Sequence, residues 1–491
     1  MLRRGQATLL GILALAVVAC RDGPAAGSEP ATPGLLVQET CPAPVRPDAR
    51  CSTLFVHENR TRRSGRVIPL RVVVLPARTD GRAADPIFFL AGGPGQAATE
   101  VMHAHAFVEA ELRDRYDLVY VDQRGTGGSN ALTCEFYGPP WNVQSYFEPF
   151  LPIGRVRECR DRLSARADLT QYTTASSVDD LEDVRRALRY DRINVLGGSY
   201  GTRLAMEYVR RYEPNVRTVI LEGVATPTTH VPENFGVLAQ QALDALLDEC
   251  VSVPECESAF PSIREDARAV FTRLKEAPVR AKVSHPGSGQ AVDVSITREQ
   301  VAETIRYMTY TSYEAARVPL VLHAASRGDY SPIAESMLRR RASGTFDGLY
   351  LSITCAEDVP YVSADAEERE AGTYLGSYRL REQRAACAEW PRGAAPDWIG
   401  RPVTAKVPVL IISGALDPAT PPANGLAVAK TLPNSLHVTI PFGGHSPAGL
   451  TGLECIQRLK VTFIERGSVE GLDTSCVSSI RRPSFTVAGS H

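Results

Sequence analysis

The chain has 491 residues, 44% of them hydrophobic and 22% charged, with a formal net charge of −2. That is ample apolar material for a core and more than one ordinary domain needs. The balanced charge excludes a nucleic-acid binder, and no internal apolar run is long enough to span a bilayer.

The chain opens on an export signal. Arg3 and Arg4 form a positive head, followed by an apolar stretch from Ala7 to Val18 interrupted only by Gly11. Val17-Val18-Ala19-Cys20 resembles the lipobox of bacterial lipoproteins, which implies cleavage before Cys20 and a diacylglycerol on its thiol. Residues 1–20 are then the signal peptide, and 21–40, rich in Ala, Pro and Gly at their start, a flexible tether. The alternative is a plain secretory signal with a chance cysteine. Either reading exports the protein, to a lipid-anchored place in the bacterial cell envelope or as a secreted chain.

Eleven cysteines are present, and setting Cys20 aside leaves ten. An even number suits a disulfide-permissive compartment. Spacing alone does not fix connectivity, but pairing of sequence neighbours gives Cys41–Cys51, Cys134–Cys159, Cys250–Cys256, Cys355–Cys387 and Cys455–Cys476. No pair has zinc-site spacing with a histidine partner, so neither a metal nor a cofactor is expected.

Apolar runs at Arg66–Leu75 and Pro86–Leu90 read as strands. Leu118–Val121 and Ile193–Leu196 are short and continuously apolar, as strands buried on both faces are. Arg217–Leu221, Pro408–Ile412 and His437–Ile440 repeat that pattern. Between them, Leu181, Val184 and Leu188 share one face of a helix over Ser177–Leu188, where Ser177 and Asp180 make a candidate capping box. The alternation predicts a doubly wound α/β sheet. It breaks between about residues 226 and 403, where Val237–Cys250, Ser262–Lys275 and Arg298–Tyr307 have helical periodicity. That stretch is too long for a loop and reads as a mainly helical cap. The cap divides the core into 41–225 and 404–491.

Gly197-Gly198-Ser199-Tyr200-Gly201 follows a strand and opens a helix, the setting of a nucleophile elbow. A serine hydroxyl attacks only when a base takes its proton. Of nine histidines, His445 lies in a loop just after the last strand, downstream of Asp417 at the end of the strand before it. Asp417 would fix the imidazole tautomer. The order Ser199, Asp417, His445 is that of α/β-hydrolases. Two N–H groups must face the oxyanion. Tyr200, after the nucleophile, and Gly93, in the loop Ala91-Gly92-Gly93-Pro94-Gly95, are the candidates.

The loop Ala91–Gly95 resembles the His-Gly-Gly-Pro-Gly motif of prolyl aminopeptidases, with Ala91 in place of the histidine. Asp122-Gln123-Arg124-Gly125-Thr126-Gly127-Gly128-Ser129 matches the Asp-x-Arg-Gly-x-Gly-x-Ser turn of the same group. Gly198 to Ala205, Tyr350 to Glu357 and about Ala385 to Cys476 are similar to the secreted tripeptidyl aminopeptidase branch. The resemblance spans most of residues 40–480. It implies an α/β-hydrolase fold and release of short peptides or single residues from free N-termini. Such an enzyme must hold a charged α-ammonium. Glu357, with Asp358 beside it, is the first candidate anchor and Glu222 the second; a solvated acid or local ion pair is the competing role for each.

The leading function is thus an exopeptidase acting through an acyl-enzyme on a peptide substrate. A carboxylesterase or lipase of the same fold is the alternative, because the fold and triad do not choose the scissile bond. An inactive binding lipoprotein is a third reading. The one membrane contact expected is through the lipid anchor.

Overall fold

The computed structural model describes residues 32–42, 46–102, 110–139, 141–341, 345–394 and 396–487. The signal peptide, Cys20 and residues 21–31 of the tether lie outside them. None of the described helices is long and apolar enough to cross a membrane.

One nine-stranded sheet organises the core. Its strands are β1 (Leu36–Glu39), β2 (Arg50–His57), β3 (Val67–Leu75), β4 (Ile87–Leu90), β5 (Leu118–Val121), β6 (Ile193–Gly198), β7 (Val216–Glu222), β10 (Val409–Gly414) and β11 (Ser435–Ile440). They lie in the order β1-β2-β3-β5-β4-β6-β7-β10-β11. Pairings from β1 to β5 are antiparallel, and all those from β5 to β11 are parallel. Every residue of β4, β5 and β10 is buried, which is why these segments read as unbroken apolar runs.

All seven expected core strands are present, with ends that agree to within two residues. Strands β1 and β2 are additions. Leu36–Glu39 pairs with β2 instead of continuing the tether, and three of its four residues are exposed. Such an edge strand has no apolar signature to read.

The helix expected from Ser177 begins earlier, at Thr174, and runs to Ala187. Its cap is Thr173, whose hydroxyl accepts the Ser176 N–H at 3.2 Å. The Ser177–Asp180 capping box is therefore not formed: Ser177 donates to the Thr173 carbonyl from inside the helix. Asp180 instead grips the fully buried Arg124 fork with bonds of 2.6 and 2.8 Å. A buried guanidinium needs a bidentate partner more than a helix start needs a second cap. Arg124 belongs to the Asp122–Ser129 turn. There the Asp122 carboxylate accepts the N–H groups of Thr99 and Gly128 at 2.9 Å each. The turn thus braces the chain that follows the Ala91–Gly95 loop.

The cap holds the helices Phe235–Ser252, Ile263–Glu276, Arg298–Met308, Val318–Ser326 and Ser331–Arg341. They share a separate apolar cluster that includes Leu243, Val270, Ile305 and Leu322. A hairpin of β8 (Val279–Ser284) and β9 (Ala291–Ile296) was not expected there. Each of its strands buries only two residues, Ala281 and Val283, and Val294 and Ile296. Two inward residues per strand are too few to stand out in the sequence. The helices Asp347–Glu357 and Tyr378–Glu389 place Leu349, Leu351, Ile353, Ala386 and Cys387 in the same cluster as the sheet. The cap region therefore returns to the core well before residue 403.

The five cysteine pairs are those of sequence neighbours, with Cα separations from 5.0 to 5.7 Å. All lie within the range a disulfide allows. Cys355–Cys387 ties together the two helices that re-enter the core.

Candidate active site

Ser199, Asp417 and His445 all stand just beyond the C-terminal ends of parallel strands, where open α/β sheets bind ligands. Ser199 follows β6 and caps the helix Tyr200–Tyr212, with φ 53° and ψ −124°. A non-glycine residue there is strained, and such strain gathers at functional sites. The elbow is tight because the helix passes close to β4. A Cβ on Gly201 would lie 2.1 Å from the Leu90 carbonyl oxygen, so no larger residue fits.

Asp417 sits on the loop after β10 and His445 on the loop after β11. The loops are joined by the Leu416 N–H to the Gly443 carbonyl at 2.7 Å. Asp417 Oδ2 and His445 Nδ1 are 2.9 Å apart. The Asp417 side chain is fully buried, while that of His445 is 16% exposed and able to meet a substrate. Burial works to raise the Asp417 carboxyl, but His445, then Thr420, outweighs it and holds the group below its ordinary value. The acid therefore stays ionised beside the imidazole, as tautomer control requires.

Thr420 is a participant that sequence reading missed. Its hydroxyl donates to Asp417 Oδ2 at 2.6 Å and lies 3.0 Å from His445 Nδ1. Asp417 Oδ1 accepts the N–H groups of Ala419 and Thr420 at 2.8 and 2.9 Å. An aspartate accepting from residues two and three further on is a local turn motif. The run Asp417-Pro418-Ala419-Thr420 thus held the available signal.

The loop after β4 reaches Ser199. A Cβ on Gly92 would come 3.0 Å from the Ser199 Cβ, and Gly93 has φ 106°, open to glycine. Tyr200 is the first residue of its helix, so its N–H has no intrahelical partner. Gly92 thus packs against Ser199, with Gly93 next to it in the chain and the Tyr200 N–H following Ser199 at the helix start.

The cap touches this machinery at two points. The Phe346 N–H donates to the Gly95 carbonyl at 2.8 Å, over the glycine loop. On the other side the Tyr310 ring meets the His445 ring edge-on at 4.9 Å, and the Tyr310 carbonyl accepts the Ser446 N–H at 2.8 Å. Tyr310 comes from the cap, 135 positions from His445 in the chain, and no local pattern marks it.

The three candidate anchor acids meet different partners. Glu357 is fully buried: Oε1 accepts the Thr174 N–H at 2.7 Å and Oε2 accepts the Thr174 hydroxyl. That hydroxyl also lies 2.7 Å from the Tyr200 hydroxyl, so Glu357 supports the residue after the nucleophile. Asp358 is equally buried and pairs with Arg203 at 2.9 Å. Glu222 ends β7 and pairs with Lys460. In this arrangement Glu357 and Asp358 present no surface to solvent, and each of the three acids already has a partner within the chain. Among the described residues, no group of three His, Cys, Asp or Glu gathers to hold a metal.

A model of the alpha/beta hydrolase fold matches residues 85–448. The chain belongs to this family. It is 24% identical over 466 residues to the serine protease Hip1 of Mycobacterium tuberculosis, covering 87% of each chain. It is 26% identical over 521 residues to carboxylesterase B of the same organism, covering 95% of this chain and 96% of that one. A solved proline iminopeptidase from Mycobacterium smegmatis is 18% identical, with 84% of this chain and 98% of that one covered and a TM-score of 0.41. The protein is a serine hydrolase of this fold.

Proposed function

We propose that this hydrolase is an exported exopeptidase that releases short peptides, or single residues, from free N-termini. Ser199 attacks the scissile carbonyl while His445 takes its proton, and Asp417 stabilises the imidazolium that forms. The N–H groups of Tyr200 and Gly93 hold the oxyanion. His445 then passes the proton to the leaving amine, and water hydrolyses the acyl-enzyme by the same relay.

The observation that carries a peptide rather than a lipid substrate is the charged interior of the cap beside His445. Tyr310 leads to the buried side chains of Arg306, Glu303 and Arg379. Burying such charges is costly, and a site for an acyl chain would be lined by apolar side chains instead. The serine protease among the relatives supports this reading. Carboxylesterase B, matched over a larger share of the chain, favours the alternative of ester hydrolysis. An amine anchor would come from Glu357, Asp358 or Glu222, with the first two reached only if Thr174 or Arg203 yields. Export fits the five disulfides, and a lipid on Cys20 would hold the enzyme at the envelope.

The test is a set of chromogenic peptides, each with its N-terminus free or acetylated, beside the matching esters. The proposal expects free-amine peptides to outrun acetylated ones by roughly thirty-fold in kcat/KM, the worth of one lost charge-assisted hydrogen bond. Equal rates on free and blocked peptides, or turnover of esters alone, would overturn it.

A further inference from the structure

Two buried arginines in the cap have more donors than the protein satisfies. Arg306 lies on the helix Arg298–Met308 and Arg379 on Tyr378–Glu389, and both are almost completely buried. Arg306 Nη2 donates to the Tyr310 hydroxyl at 2.7 Å, and Arg379 Nη2 to the Tyr350 hydroxyl at 3.4 Å. Nε and Nη1 of each have no hydrogen-bond acceptor. Among the described residues, Glu303 is the one carboxylate within 4 Å of either guanidinium. Its Oε1 is 3.8 Å from Arg306 Nη1 and 3.5 Å from Arg379 Nη1, ion pairs that form no hydrogen bond. The two forks therefore converge on one point without closing on it.

The Tyr378 hydroxyl bonds Glu303, and other groups near the pair do not complete it. Glu370 accepts the Gly236 N–H at 3.2 Å, and Glu382 accepts the Leu151 N–H at 3.4 Å. A third guanidinium, Arg340, stacks on Tyr307 at 4.1 Å. Aromatic faces hold the two forks in place: Phe235 lies 3.9 Å from Arg306 and Phe150 lies 3.5 Å from Arg379. Buried donors left open in a rigid setting call for a partner, because leaving them unmet is costly.

Arg306 also lies at substrate distance, and Arg379 meets it across Glu303. Arg306 Cζ is 5.1 Å from the Tyr310 ring centre, which is 4.9 Å from that of His445. The guanidinium is thus no farther than about 10 Å from the imidazole, or about three residues of extended chain.

Taking the exopeptidase reading as given, we infer that Arg306 and Arg379, reached only if Tyr310 yields, form a subsite for a carboxylate carried by the substrate within about three residues of the scissile bond. Planar guanidinium forks suit a carboxylate, which accepts two parallel hydrogen bonds. The carboxylate is either the C-terminus of a short peptide or an acidic side chain.

Three peptides with one common cleavage site test this: one ending in a free carboxylate, one in a carboxamide, and one amidated but carrying a single Glu within three residues of the site. A free-carboxylate preference identifies the C-terminus as ligand, and a preference for the Glu peptide identifies the side chain. The expected preference is roughly thirty-fold in KM, the worth of one charge-assisted hydrogen bond, with kcat little changed. Arg379→Gln should abolish it. Glu303→Gln, which removes the competing acid, should strengthen it, and does not depend on Arg379→Gln folding. Arg379 is preferred to Arg306 because it does not touch Tyr310. Nitrophenyl esters ending in a carboxylate or a carboxamide form a parallel series that any serine hydrolase of this fold can turn over. If peptides are refused but the ester series shows the carboxylate preference, the exopeptidase reading fails and the subsite stands. If carboxylate and carboxamide substrates are equal in both series, or Glu303→Gln weakens the preference, the subsite is overturned.

Discussion

Replacing Glu357 with glutamine separates a supporting role for this residue from substrate binding. The carboxylate is wholly buried, and burial pushes its pKa from an ordinary 4.5 up to about 7, against the opposing pull of Thr174 and Arg203. The folded protein therefore holds this proton more tightly than the unfolded chain does. The stability due to the group is complete below about pH 4.5 and is lost as pH rises towards 7. At about 1.4 kcal/mol per unit, ionised Glu357 costs about 3 kcal/mol at pH 8. Glutamine keeps the local bonds: its oxygen accepts the Thr174 N–H, and its amide donates to the Thr174 hydroxyl, whose proton turns to the Tyr200 oxygen 2.7 Å away. Urea unfolding at pH 5, 6.5 and 8 should show the wild type losing about 2.5 kcal/mol relative to Glu357→Gln across that range. Parallel pH dependence of the two proteins would refute the assignment of a buried, late-ionising acid. The same variant reads the anchor role. A selective fall in kcat/KM on free-amine peptides, with acetylated peptides unaffected, assigns Glu357 to the amine. An unchanged ratio leaves it as the support beneath Tyr200.

Ser199→Ala should leave the fold intact and reduce kcat to roughly a millionth, as loss of such a nucleophile does; more than a few per cent of activity in a clean preparation would remove Ser199 from its role. Thr420→Val deletes the hydroxyl that fixes Asp417 and should lower kcat by about tenfold while KM stays put, since one charge-assisted hydrogen bond is lost away from the substrate. A full-rate Thr420→Val enzyme would mean that the two backbone N–H groups orient Asp417 unaided. Cys20→Ser should abolish lipid attachment and release the protein from membranes, and mass spectrometry finding an unmodified Cys20 in the mature chain would exclude the anchor.

The parallel strands, the elbow at Ser199 and the order of Ser199, Asp417 and His445 were legible in the sequence because each rests on local rules. A strand buried on both faces must be continuously apolar, and a sharp strand-to-helix turn must carry small residues where Gly201 meets Leu90. Neighbouring cysteines were paired correctly for a similar reason, since short loops close at little cost. Edge strand β1 and the β8–β9 hairpin were not legible, as each buries too few side chains to leave a period. The Ser177–Asp180 box looked complete locally, but Asp180 went to Arg124, a partner 56 positions away. Tyr310 against His445, Glu357 beneath Tyr200, and Arg306 facing Arg379 across Glu303 all join segments distant in the chain. Their contacts exist only once the cap has folded back onto the sheet, so only the tertiary structure decides them.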